Sequence, residues 1–194
     1  DDVFSRVSDT KTPQGVLAAV RMMEYEFRDI LGGNGEHHSL SHVLVLENLQ
    51  DPGNMGTIFR SAEAAGATGI LMSRDCVDVY NPKVIRSTMG AIFRIPFYRT
   101  DNLVQSIEEL KNNEIQVYAA HLKGRNTYDG EDYRQGCAFL IGNEGNGLRP
   151  ETAACADRLV RIPMEGEAES LNAAVAASVL MFEAARQRRG MQLQ

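Results

Sequence analysis

Apolar residues follow two alternating rhythms along most of the chain. Short apolar runs at Val43 to Glu47, Gly69 to Met72, Ile95 to Tyr98, Ile115 to Ala120, Ala138 to Ile141 and Arg158 to Ile162 read as strands. Segments of helical spacing lie between them. Met55 to Ala65 sets Met55, Ile58, Ala62 and Ala65 on one stripe, and Lys83 to Met89 and Leu103 to Asn112 fill the next two crossovers. The clearest helix is Leu171 to Arg188, where Leu171, Ala174, Val175, Ser178, Phe182 and Ala185 keep helical spacing. Ser170 is placed as its N-cap, and basic residues crowd its last turn before Gly190. Such alternation predicts an α/β fold with a mainly parallel sheet.

The stretch from Asp1 to about Leu40 breaks this rhythm with Thr12-Pro13-Gln14-Gly15 and Gly32-Gly33-Asn34-Gly35. Residues 1–40 therefore read as a linker or the tail of a preceding domain, and 41–194 as the main domain. A chain of 194 residues carries one well-buried core plus such an appendage. Asp1 and Asp2 stand where a start methionine would, without a basic-then-apolar signal, so an upstream segment is expected.

Composition narrows the picture. The share of hydrophobic residues, 43%, against 24% charged is that of a globular chain. The longest apolar runs are only about five to eight residues, too short for a bilayer. Three cysteines at irregular spacing, Cys76, Cys137 and Cys155, argue against a disulfide framework and for a reducing compartment, with the cytoplasm expected. The net charge of -6 opposes a nucleic-acid partner unless cations gather locally. Arg125, Arg134, Arg149, Arg158 and Arg161, then Arg186, Arg188 and Arg189, offer such a grouping in the second half.

Candidate chemistry sits at three strand ends. After the first strand, Asp51-Pro52-Gly53 makes a turn and Asn54 stands where it caps the following helix or faces a ligand. Arg60, on the same helix, is either a solvated partner of Glu63 or a functional cation. After Phe139-Leu140-Ile141 come Gly142-Asn143-Glu144-Gly145-Asn146-Gly147, glycines that permit close backbone approach to a ligand or simply form a turn. Their spacing is not the dinucleotide fingerprint, which disfavours a nucleotide-binding oxidoreductase. At the third strand end, Ile162-Pro163-Met164 leads through Glu165, Glu167 and Glu169, a solvated acidic edge, to Ser170-Leu171-Asn172. Glu36-His37-His38 with His42 lack an acidic or cysteine partner at ligand spacing, so no metal site is expected.

Taken together, Asn54 with Arg60, Ile141-Gly142-Asn143-Glu144-Gly145, and Ile162-Pro163-Met164 followed by Ser170-Leu171-Asn172 resemble, in order and spacing, the three motifs of the SpoU/TrmH methyltransferases of the SPOUT superfamily. The resemblance spans roughly residues 40 to 190. It implies a Rossmann-like sheet with a C-terminal deep trefoil knot, a homodimer, and S-adenosylmethionine as cofactor. Cofactor contacts are then expected at Leu122, Gly142, Gly145, Ile162, Met164 and Leu171. The implied reaction is methylation of an RNA ribose 2′-hydroxyl, with Arg60 central and Asn54, Glu144, Ser170 and Asn172 holding it, the ribose and the adjacent phosphate. Thr12 to Ala18 is similar to the linker after an L30e-like RNA-binding domain in ribosomal members, which favours ribosomal over transfer RNA. A catalytically silent RNA-binding module is the competing reading.

Overall fold

The computed structural model describes residues 15, 16, 18–32 and 40–191. Glu36-His37-His38 and most of the Thr12 to Ala18 stretch lie outside them. Seven strands, β1 (His42–Leu46), β2 (Gly69–Ser73), β3 (Phe97–Thr100), β4 (Gln116–Ala120), β5 (Asn126–Thr127), β6 (Cys137–Ile141) and β7 (Arg158–Arg161), form one sheet in the order β3-β2-β1-β6-β4-β7-β5. Every pairing is parallel. Five α-helices join them: α1 (Pro52–Ala64), α2 (Pro82–Ser87), α3 (Leu103–Asn112), α4 (Pro150–Ala154) and α5 (Ala173–Met191). All six expected strands are present. The two-residue β5 escapes sequence reading because Asn126 and Thr127 carry no apolar alternation.

The central strands are buried on both faces, as a helix-covered parallel sheet requires. On one face Leu44, Leu46 and Phe139 pack with Met55, Ile58 and Phe59 of α1 and with Ala177, Leu180 and Met181 of α5. On the other, Val43, Val45 and Leu140 pack with Leu103, Ile107 and Leu110 of α3. Part of the region read as linker is fixed to this core. Ile30 is fully buried, and the backbone of Met23 exchanges hydrogen bonds with the Tyr80 hydroxyl at 2.8 and 2.9 Å.

Two helix starts differ from expectation. The N-cap of α1 is Asp51, whose carboxylate accepts the Asn54 N–H at 2.7 Å. Pro52 at the first helical position needs no such partner, so the helix starts two residues before Asn54 and leaves that side chain free for other work. The N-cap of α5 is Asn172, not Ser170: its carbonyl oxygen accepts from the N–H of Ala174 (2.9 Å) and Val175 (3.3 Å). The buried face of α5 is also rotated from the expected stripe. Ala174, Ala177, Leu180, Met181, Ala184 and Ala185 face inward, whereas Val175 and Phe182 remain 48% and 44% exposed. Small alanines let the helix lie close to α1, where the Ser178 and Ser61 hydroxyls meet at 2.9 Å.

Strand β7 lies between β4 and β5, both earlier in the chain. The connection from β4 to β5 must therefore cross β7, and it does so at backbone contact. A Cβ on Gly124 would stand 2.8 Å from the Val160 carbonyl carbon and 2.9 Å from the Arg161 nitrogen. Only glycine fits at that crossing.

His42 is buried at the entry of β1 with its ring edge 5.9 Å, centroid to centroid, from Phe139, and its Nε2 meets no partner among the described residues. Burial, reinforced by the Arg188 guanidinium, lowers its pKa from 6.5 to about 3. The unfolded chain therefore takes up a proton that the folded chain refuses. The contribution of His42 is fully present above pH 6.5 and is lost as pH falls toward 3. The urea midpoint is expected to drop between pH 7 and pH 5, and His42→Leu to flatten that drop. An unchanged slope in the variant would assign the acid sensitivity elsewhere.

Candidate functional site

The loops leaving β1, β4, β6 and β7 enclose a cavity of about 730 Å³ at the carboxyl ends of the strands, the place where open parallel sheets bind ligands. Its wall comprises residues 120–123, 141–148, 160–162, 164, 169–173 and 176, with Asp51 and Asn54. Ten of the eleven residues singled out from sequence are on it: Asn54, Leu122, Gly142, Glu144, Gly145, Ile162, Met164, Ser170, Leu171 and Asn172. Arg60 is not.

A chain of side-chain bonds ties three loops together. The Glu144 carboxylate accepts from the backbone N–H of Asp51 (2.9 Å) and Gln50 (3.2 Å) and from Asn54 Nδ2 (3.1 Å). Asn54 Oδ1 in turn accepts from Asn172 Nδ2 at 2.9 Å, and the carbonyl end of Asn172 caps α5. Each amide thus has a fixed orientation, because its donor and acceptor ends meet opposite partners. Burial pushes the Glu144 carboxyl up, but the N–H groups of Asp51, Asn54 and Gln50 outweigh it and hold the pKa below the ordinary 4.5. Glu144 is an anionic clasp between two loops, with its acceptor capacity largely occupied. Replacing Asn172 by alanine removes a cap worth about 1 kcal/mol, which lowers Tm by about 2–4 °C in a chain of this size. Asn172→Asp is expected to recover that loss in a thermal melt while still lacking the donor to Asn54. Identical melts for all three proteins would refute the cap assignment.

The β6–α4 loop closes on itself. Asn143 and Gly147 exchange backbone hydrogen bonds at 3.0 and 2.9 Å, and Asn143 Oδ1 accepts from the N–H of Gly145 and Asn146. Asn143 Nδ2 donates to the carbonyl of Asn48 at 2.8 Å, fastening this hairpin to the loop after β1. Gly142 lies against the backbone of Gly147 and Leu148 so closely that any Cβ would overlap them. Below the loop, the fully buried carboxylate of Glu47 accepts from the Arg149 N–H at 2.7 Å and from the Thr152 hydroxyl.

Arg60 lies on the exposed side of α1, six residues or about 9 Å along the axis from Asn54. Its sequence partner Glu63 pairs instead with Arg94 at 3.0 Å, and Arg60 has no ion pair among the described residues. Sequence reasoning missed the anchoring roles of Glu47 and Asn143 and the presence of Lys123 and Arg161 on the wall. A carboxylate ending a strand of otherwise apolar residues, as Glu47 does, is the one available signal. His121 also lines the cavity, with Nδ1 accepting the Lys123 N–H at 3.0 Å. Glu165, Glu167 and Glu169 are exposed, and Glu169 reaches the wall. Among the described residues no three His, Cys, Asp or Glu side chains are arranged to hold a metal.

A strand-end cavity floored by glycine loops and clasped by Glu144, Asn54 and Asn172 defines a ligand-binding α/β domain. The SpoU rRNA Methylase family matches residues 41–182, and the chain belongs to that family. It is 35% identical over 182 residues to the 23S rRNA (guanosine(2553)-2′-O)-methyltransferase RlmP of Bacillus subtilis, covering 94% of this chain and 69% of the relative. It is 39% identical over 179 residues to the 23S rRNA (guanosine-2′-O-)-methyltransferase RlmB of Xylella fastidiosa, covering 90% and 71%. Its fold is similar to the crystal structure of the SpoU methyltransferase AviRb from Streptomyces viridochromogenes in complex with the cofactor AdoMet. That match has TM-score 0.78 and 32% identity over 87% of this chain, which spans 63% of the AviRb chain.

Proposed function

We propose that the chain is the catalytic domain of an S-adenosylmethionine-dependent methyltransferase acting on a ribose 2′-hydroxyl of ribosomal RNA. The observation that carries this reading is the assembly of ten separately predicted residues on one cavity wall. The relatives named as 23S rRNA 2′-O-methyltransferases support ribosomal over transfer RNA. The cavity suits the cofactor chemically. Ile162, Met164 and Leu171 supply apolar walls for an adenine, and the crossing of Gly142 over Gly147 and Leu148 brings backbone polar groups to the surface without side chains in the way.

S-adenosylmethionine supplies a sulfonium-activated methyl group whose leaving thioether is neutral. The protein's tasks are then to orient the ribose, exclude water and favour the developing alkoxide. Asn54 and Asn172, locked by Glu144, fix the wall that would face the cofactor, and Ser170 adds an exposed hydroxyl. Arg60 is assigned the anchoring of phosphate and the stabilisation of charge on the ribose oxygen; as that oxygen bonds the methyl carbon the sulfonium C–S bond breaks, and the 2′-hydroxyl proton leaves to bulk water. Calorimetry tests the first step: about one S-adenosylmethionine per chain and no NAD binding is expected. Absence of cofactor binding would favour the silent RNA-binding module.

The finer architecture belongs to the same reading. Passage of β7 across the earlier 121–125 connection supports a trefoil knot. The start of the family match at residue 41 supports 41–194 as the body of the catalytic domain. The segment from Met23 to Leu31 packs onto it, which leaves the residues before that segment to serve as a connection from an RNA-binding domain. Val175 and Phe182, left exposed on α5, support a homodimer. Phe182→Glu is expected to shift the protein to monomer in sedimentation, and an unchanged sedimentation coefficient would remove α5 from the interface. Among the described residues no helix is long and apolar enough to cross a membrane, and the three cysteines are free, which fits a cytoplasmic enzyme.

A further inference from the structure

The basic residues grouped in the second half of the chain separate into two kinds. Arg134 pairs with Asp132, Arg149 with Asp75 and Glu47, Arg158 with Glu131, and Arg186 with Glu183. Arg188 is spent on backbone carbonyls, among them those of Leu40, Ser41 and Tyr133. Arg189, in the last turn of α5, is exposed, makes no ion pair among the described residues and lies off the cavity wall. Lys123, Arg125 and Arg161 are grouped at one crossing. All three are exposed, and among the described residues none of their side chains makes an ion pair or hydrogen bond. Lys123 and Arg125 flank Gly124, and the crossing at Gly124 is so close that its Cβ position lies 2.9 Å from the Arg161 nitrogen. Lys123 and Arg161 line the cavity, and Arg125 is off its wall.

Three unneutralised cations concentrated at one crossing, in a chain of net charge -6, form a local anion site against the overall field. We propose that Lys123, Arg125 and Arg161 are a phosphate clamp on the lip of the cavity, gripping the RNA backbone beside the nucleotide to be methylated. This rests on the methyltransferase reading above. A single cofactor carboxylate would need one cation and would sit inside the cavity. Three cations on two chain segments, one of them off the cavity wall, match successive phosphates of a strand instead. Glu165, Glu167 and Glu169 are exposed on the loop after β7, and Glu169 reaches the same wall, so phosphate is disfavoured beside those carboxylates and favoured beside the cations.

The test compares the full chain with the triple variant Lys123→Ala, Arg125→Ala, Arg161→Ala, using anisotropy of a labelled 20-nucleotide single-stranded RNA from low to high salt. The variant is expected to bind roughly tenfold or more weakly at low salt, with the slope of log affinity against log salt reduced by about 2. Arg125→Ala, whose side chain is off the cavity wall, is expected to weaken RNA binding while S-adenosylmethionine affinity by calorimetry stays unchanged, and the thermal midpoint of the triple variant is expected to hold, since the three side chains are exposed. The variant Lys123→Arg, Arg125→Lys, Arg161→Lys is expected to keep the salt slope. An unchanged slope and RNA affinity in the alanine variant would overturn the clamp. Loss of cofactor affinity with RNA binding intact would also overturn it and assign the cations to the cofactor carboxylate. A wild-type chain that binds cofactor and RNA while the variant behaves identically refutes the clamp alone; a wild type that binds neither refutes the enzyme reading with it.

Discussion

Arg60→Ala is expected to lower turnover by about ten- to a hundredfold, the loss of a charge-assisted hydrogen bond of about 1.5–3 kcal/mol to the substrate phosphate. Cofactor affinity is expected to stay at the wild-type value, because Arg60 is absent from the wall that would hold S-adenosylmethionine. That split between binding and turnover distinguishes a catalytic cation from a residue that merely shapes the pocket. Arg60→Lys keeps the charge but not the planar fork, and is expected to recover only a small part of the rate. Single-turnover methylation under saturating cofactor measures the effect directly. Wild-type rates in Arg60→Ala would remove this residue from the mechanism.

Gly142→Ala carries the second large effect, and it reads the other way. The added methyl has no space beside the carbonyl carbon of Gly147 and the nitrogen of Leu148, both backbone atoms that cannot turn aside. The hairpin closed by Asn143 and Gly147 must therefore move, and with it the hold of Asn143 on Asn48 and of Glu144 on Gln50 and Asp51. Overpacking of this kind costs about 1–3 kcal/mol. Displacement of the loop is expected to weaken S-adenosylmethionine at least about tenfold, the equivalent of about 1.4 kcal/mol. Gly145→Ala is the control, since its nearest neighbour, Asn143 Oδ1, stands at 3.6 Å and leaves room for a methyl. Equal calorimetric affinities for the two variants would show that the Gly142 crossing does not shape the cofactor site.

The alternation of apolar runs and helical spacing made the sheet and its crossover helices readable, because central parallel strands and their covering helices each keep a single burial rule. Helix α3 begins and ends where its periodicity says. The helix starts were harder. Both Asp51 and Asn54, and both Ser170 and Asn172, are good caps by residue type, and only the backbone path decides between them. The decision matters for the site: because Asp51 caps α1, Asn54 is available to bridge Glu144 and Asn172. On α5, two apolar stripes compete, and the narrower alanine stripe faces inward because it permits close approach to α1. The passage of β7 between β4 and β5 leaves almost no trace in hydropathy, since threading is a property of chain path rather than of any local pattern. Gly124 is the one residue that records it. The family resemblance named the cavity residues but not their arrangement, in which Arg60 stands apart on the exposed side of α1.

The most direct measurement is transfer of a radiolabelled methyl group from S-adenosylmethionine to an unmodified 23S-type rRNA transcript, followed by alkaline hydrolysis. A ribose 2′-O-methyl group blocks cleavage at its own phosphodiester, so the label is expected in alkali-resistant dinucleotides. Label released in mononucleotides would place the methyl on a base, and no incorporation with cofactor bound would leave a binding module in place of an enzyme; either result contradicts the account.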